Sequence, residues 1–163
     1  MPKRDYSKFF TPPDVADYMV NLFGKVEDGS TFIEPHAGNG ALVKALRKKY
    51  GGSVVIDAVE LDNDRYDELE EVCDKVFSGD FLEHYSSGEY DYCIDNPPFG
   101  NGIDLIAHLE HITEVTKIGA KIVMIVPEDF NPSRSCIKHP LENWSKNSDG
   151  TTTPIKIIEF INK

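Results

Sequence analysis

The segment 95–100 reads Asp-Asn-Pro-Pro-Phe-Gly: an acid and an amide, two consecutive prolines, an aromatic ring and a glycine. Two prolines fix the local backbone and remove two N–H donors, so this stretch is neither ordinary helix nor central sheet. A plain rigid loop satisfies that requirement, and so does a frame that holds polar groups still for chemistry. Three other short polar segments invite the same question. Residues 34–40, Glu-Pro-His-Ala-Gly-Asn-Gly, place Gly38 and Gly40 where a backbone turns sharply and approaches a ligand at the mouth of a helix. Residues 59–62, Val-Glu-Leu-Asp, put Glu60 at the end of a β-branched run, where α/β nucleotide sites use an acid to accept two ribose hydroxyls. Asp80 and Phe81 follow Gly79 in a fourth turn, where Asp80 suits either turn capping or ligand binding.

The elements that must position these segments alternate. Apolar residues at helical spacing (Val15, Met19, Leu22, Phe23) predict a helix after Thr11-Pro12-Pro13, ended near Gly24. Strands are expected over 30–35, 53–61, 75–81, 90–95, 120–127 and 154–161, with helices over 40–51, 63–74 and 102–116. Asn63 or Asp64 is the expected cap of the 63–74 helix. Strands joined by crossover helices imply an α/β, doubly wound, Rossmann-like and mostly parallel sheet, and in such a sheet ligands gather beyond the carboxyl ends of the strands. All four polar segments fall at such ends. The stretch 128–153 is polar and rich in Pro, Ser, Asn and Gly, which reads as a flexible loop facing substrate. Only one clear strand follows it, so a shortened C-terminal end of the sheet is expected. The chain reads as one domain over 1–163.

Composition narrows the partners. The formal net charge is −11, with acids concentrated over 59–74 and basic residues scattered. A nucleic-acid binder usually carries a basic stripe, so the balance argues against tight unaided binding of DNA. No apolar run reaches the length of a membrane span. Three cysteines, Cys73, Cys93 and Cys136, form no CxxC pair and read as reduced thiols of a cytoplasmic protein. Nothing in the sequence groups metal ligands.

The order Thr11-Pro12-Pro13, then Glu34 to Gly40, then Asn96-Pro97-Pro98-Phe99 resembles the class I S-adenosylmethionine-dependent methyltransferases that act on adenine N6, over roughly residues 6–130. The resemblance implies that Thr11 and Pro12 belong to a cofactor-binding segment. It implies that Glu34, Pro35, His36, Ala37 and Gly38 wrap the methionine end of S-adenosylmethionine, with Glu34 near its ammonium group. His36 departs from the small residue common there; it reaches the cofactor carboxylate, crowds the pocket or stands by. Glu60 is expected on the ribose, Leu61 against the adenine ring, Asp80 on the adenine amine and Phe81 on the ring face. Asn96 also borders the cofactor.

The proline-rich loop then acquires a task. An exocyclic amine is a poor nucleophile because its lone pair is delocalised into the ring. The Asn96 side-chain oxygen and the Pro97 carbonyl, held rigid by Pro97 and Pro98, accept its two N–H groups and turn the lone pair toward the sulfonium methyl. Phe99 supplies a stacking face for the base. Asp95 departs from the hydrophobic or small residue often found there, and its role stays open. Three functions share this chemistry or its fold: adenine-N6 methylation of DNA, methylation of adenine in RNA or of a glutamine amide in protein, and a non-catalytic cofactor-binding subunit or decoy. A DNA methyltransferase of this type usually carries a recognition region, which a partner chain or a homodimer would supply. Within this chain the sparse set Arg134, Lys138, Trp144 and Lys146 is the local candidate for substrate contacts.

Overall fold

The computed structural model describes residues 10–84, 88–98, 103–147 and 152–163, with the backbone alone for 142–147 and 152–153. Seven strands form one sheet in the order β3-β2-β1-β4-β5-β7-β6. They are β1 (Thr31–Glu34), β2 (Val55–Glu60), β3 (Lys75–Ser78), β4 (Tyr90–Asp95), β5 (Thr116–Pro127), β6 (Ile137–Asn147) and β7 (Thr152–Ile161). β1 pairs in parallel with β2 and β4, β2 with β3, and β4 with β5, while β7 runs antiparallel to both β5 and β6. The helices are α1 (Pro13–Asn21), α2 (Ala41–Tyr50), α3 (Tyr66–Glu70) and α4 (Leu105–Val115). This is the expected mostly parallel α/β sheet.

Alternation along β5 explains why both faces are covered. Val123 and Ile125 point to one side, where Val15, Met19 and Val20 of α1 and Leu42, Val43 and Leu46 of α2 pack. Ile122, Met124 and Val126 point to the other, where Leu105, Leu109 and Ile112 of α4 pack. A side-chain period of two puts successive residues on opposite faces, so a strand buried on both reads as a continuous apolar run. Pro13 opens α1 at a position where a missing N–H is no loss, and the Pro12 carbonyl accepts the Ala16 N–H at 2.9 Å.

Three sequence expectations change. The stretch read as a loop over 128–153 contains β6, so the closing antiparallel hairpin is present rather than shortened. β6 was hidden because it is an edge strand carrying Pro140, and its pairing register breaks between Pro140 and Ser145. The helix expected over 63–74 is a single 3₁₀ turn, Asn63–Arg65, followed by the five residues of α3, and Asp62 rather than Asn63 or Asp64 caps it by accepting the Asp64 N–H at 3.0 Å. β5 begins at Thr116, not at Ala120. Among the described residues no helix is long and apolar enough to cross a membrane.

Candidate active site

The site grows from the carboxyl ends of β1, β2, β3 and β4. Beyond β1 the chain turns at Gly38 (φ 56°) and Gly40 (φ 83°), both left-handed, and enters α2. Gly40 has a second reason to be glycine: a Cβ there would lie 3.2 Å from Leu69 Cδ2. The Gly38 N–H donates to Glu60 Oε2, and the Asp62 N–H donates to Glu60 Oε1 at 2.9 Å. Ala37 anchors the same loop through its N–H on the Val59 carbonyl at 3.0 Å. Glu60 therefore ties the glycine loop to the end of β2 and is aimed by backbone on both sides.

A cavity of about 360 Å³ opens beyond these ends. Pro35, His36 and Gly38 of the glycine loop line it, as do Glu60 and Leu61 after β2 and Asp80 and Phe81 after β3. Asn96 and Pro98 close the side that follows β4. Leu61 is 61% exposed and offers a free apolar surface, whereas Phe81 is almost wholly buried and forms part of the floor. Asp80 performs the capping role weighed from the sequence, with Oδ1 accepting the Leu82 N–H at 2.9 Å, and it borders the cavity as well.

A smaller cavity of about 20 Å³ lies behind the glycine loop, between Thr11, Glu34, Ala37 and Asn96. Here the structure connects segments that the sequence keeps apart. Asn96 Nδ2 donates to Thr11 Oγ1 at 2.9 Å across 85 positions of chain, which fixes the amide plane and sets Oδ1 at its far end. Pro12 lines neither cavity and serves as the N-cap of α1; Pro97 is buried beside Asn96. Phe99 lies outside the described residues.

Beneath the loop sits an unusual cluster of acids and imidazoles. Asp95, the last residue of β4, has 0% exposure, and its Oδ1 meets His36 Nδ1 at 2.9 Å. Glu34, 1% exposed, accepts the His36 N–H at 2.9 Å. Burial first, and the neighbouring Asp95 charge second, push the Glu34 carboxyl well above the usual carboxylate range. The side-chain interaction between the Glu34 and Asp95 carboxyls adds to that rise, and Asp95 Oδ2 is buried without a hydrogen-bond donor among the described residues. The His36 ring lies 5.0 Å from that of His108 and 5.7 Å from that of Phe81. Sequence reasoning left Asp95 open and missed Phe10, Asp104 and His108, which also border the larger cavity. Their signal was weak: His108 sits on the apolar face of α4, and Asp104 reads only as the cap that it is, accepting the Ala107 N–H at 3.0 Å.

Of the residues expected to contact substrate, Arg134 lies away from this site. Arg134 stacks on Phe160 at 5.1 Å and shares a groove with Lys121 and Lys163, at the end of β5 opposite the cavity. Lys138 pairs with Ile158, level with Met124 and Asp95, while Lys146 pairs with Thr153, beyond the carboxyl end of β5. Eight positions of strand separate Lys138 from Lys146, roughly 25 Å at the rise of an extended chain. The side chains of Trp144 and Lys146 lie outside the described residues. Metal ligands do not gather in threes anywhere among the described residues.

This seven-stranded sheet, with its glycine loop and acids at the strand ends, is the Rossmann-like fold of the class I S-adenosylmethionine-dependent methyltransferases. The methyltransferase subunit of a type I restriction-modification system from Streptococcus thermophilus superposes with a TM-score of 0.73 at 17% identity, over 96% of this chain and 45% of that one. A Listeria monocytogenes protein described as a class I S-adenosylmethionine-dependent methyltransferase gives 0.70 at 14% identity, over 97% of this chain and 62% of that one. In sequence, the chain is 30% identical over 97 residues to the type II methyltransferase M.HincII of Haemophilus influenzae, covering 60% of this chain and 18% of that protein. The chain thus spans less than a fifth of that relative's length. No protein-family model matches it.

Proposed function

We propose that this chain transfers a methyl group from S-adenosylmethionine to an exocyclic amine, adenine N6 in DNA. The observation that carries the reading is the Thr11–Asn96 hydrogen bond, which holds the amide of the proline loop beside the glycine loop and Glu60. The residues fit the cofactor. Left-handed Gly38 and Gly40 let the backbone approach a ligand, Glu60 offers carboxylate oxygens to a ribose, Leu61 an apolar face to a base, and Asp80 an acceptor to an amine. The cavity volume lies within the range of small-molecule sites. When bound, the cofactor supplies an activated methyl group. Asn96 Oδ1 and the Pro97 carbonyl accept from the acceptor amine, and the rigid prolines spare the site any reorganisation as charge develops.

The DNA target draws on the similarity to M.HincII and to the type I restriction-modification subunit. The net charge of −11 argues against any nucleic acid and favours a second reading, a glutamine amide in protein, while adenine in RNA would need the same chemistry as adenine in DNA. Labelled methyl transfer from S-adenosylmethionine to DNA, RNA and protein extract, run in parallel, separates these substrates. Asn96→Ala is expected to lower transfer about 100-fold or more while cofactor affinity holds. Normal turnover by that variant would reduce the proline segment to a structural loop.

A further inference from the structure

The lining of the larger cavity has an uneven charge. Glu60, Asp80 and Asp104 border it, and neither lysine nor arginine does among the described residues; its basic groups are the imidazoles of His36 and His108. Behind His36 lie Asp95, at 2.9 Å from Nδ1, and Glu34, beneath its backbone. Nδ1 of His36 is therefore committed to Asp95, and Nε2 is the ring nitrogen left for the cavity. His108 faces the same ring from α4 and commits its own Nδ1 to the Asp104 carbonyl at 2.9 Å.

Such a wall suits a cationic ligand better than a neutral one: Asp80 and Asp104 are exposed and Glu60 half-buried, so a ligand that covers them takes water from their carboxylates, and a positive charge on it offsets that loss. The reading of the preceding section, on which this inference rests, gives the site one ligand of each kind. The lone pair of the acceptor nitrogen forms the new N–C bond as the C–S bond breaks, and the electron pair of the broken bond stays on sulfur. The methylated nitrogen then carries one proton in excess and sheds it. Before the step the positive charge resides on sulfonium; afterward the thioether product, S-adenosylhomocysteine, leaves the acidic wall without it.

We propose that His36, oriented by Asp95, takes up at Nε2 one proton to match the one shed, so that the acidic wall faces a single positive charge both before and after transfer. His36 thereby acts as a proton-accepting partner to the neutral product, and Asp95 as its positioning residue. The geometry gives each atom a place: Asp95 Oδ1 holds the Nδ1–H, and Nε2 is the acceptor.

The test is a binding measurement that needs no turnover. S-adenosylmethionine and S-adenosylhomocysteine are titrated into the protein by calorimetry between pH 6 and 9, in buffers of differing ionisation enthalpy. Binding of the product should take up close to one more proton than binding of the sulfonium. The ratio of the two affinities should then change by up to about tenfold per pH unit, with the product weakening as pH rises. His36→Asn should erase the difference, and imidazole NMR of the unaltered protein should show the His36 ring gaining a proton with the product and not with the sulfonium. Equal proton counts for the two ligands, or a difference that survives His36→Asn, would overturn the proposal. A difference that instead vanishes in His108→Asn would assign the proton to the wrong histidine. Failure of both ligands to bind would remove the cofactor reading itself, an outcome distinct from equal binding.

Discussion

Thr11 and Asn96 show what single residues decide here. One hydroxyl orients the amide that addresses the acceptor, so its loss should act on rate more than on cofactor binding. Thr11→Val is expected to lower kcat about tenfold, the equivalent of one hydrogen bond of ordinary strength, while S-adenosylmethionine affinity changes little. Thr11→Ser should restore the rate, and steady-state kinetics on the two variants decides the matter. Glu34 gives a second prediction, through pH. The folded chain holds its proton well above the range at which an unfolded chain releases it. Stability should therefore fall as pH rises from the ordinary glutamate range through the raised folded value. Glu34→Gln keeps a donor for Asp95 and has no proton to lose, so this slope should disappear. Melting curves at pH 5 and pH 8 would show it, with a relative gain of about 2–4 °C at pH 8 for each ~1 kcal/mol recovered. An unchanged slope would mean that Glu34 is ionised in the fold.

Among the elements, the glycine loop is the most constrained. Gly40 combines a left-handed φ with contact against Leu69, so Gly40→Ala should destabilise the protein by about 1–3 kcal/mol. Denaturant titration measures this, and cofactor affinity should fall with it because Gly38 of the same loop is the donor that aims Glu60. That loop and the proline segment were legible in the sequence because each states its backbone requirement locally, in Gly38, Gly40, Pro97 and Pro98. β5 was legible because Ile122 to Val126 are apolar on both faces. β6 was not, since an edge strand with Pro140 and polar neighbours satisfies no pattern; only its pairing with β7 defines it. The Thr11–Asn96 and His36–Asp95 bonds were illegible for another reason. They depend on which strand lies beside which, and no local pattern states that.

Across the whole molecule, charge and topology set substrate handling. Basic side chains of α2 are engaged within the fold: Arg47 binds the carbonyls of Gly51, Val54 and Val72 and the Asp74 carboxylate, and Lys48 binds Asp17. With a net charge of −11, the chain should bind short duplex DNA weakly and lose that binding steeply with salt. Arg134→Gln should leave the salt slope unchanged, because Arg134 stands at the far end of the sheet. Lys146→Gln, altered at the cavity end, should lower the slope by about one; fluorescence anisotropy across a salt series tests the pair, and the reverse pattern would place the nucleic acid on the opposite edge. One consequence of the strand order remains. β1 and β4 lie side by side, with Phe32 opposite Tyr92, although 60 positions of chain separate the two. Pairings of that span close slowly, because chain entropy is lost before any contact repays it. The pocket is therefore written into one of the last contacts the chain can make during folding. A partly folded chain that has formed only the antiparallel β5–β7–β6 arm is blind to cofactor, and ligand added during refolding can act only on molecules that have already joined their two halves.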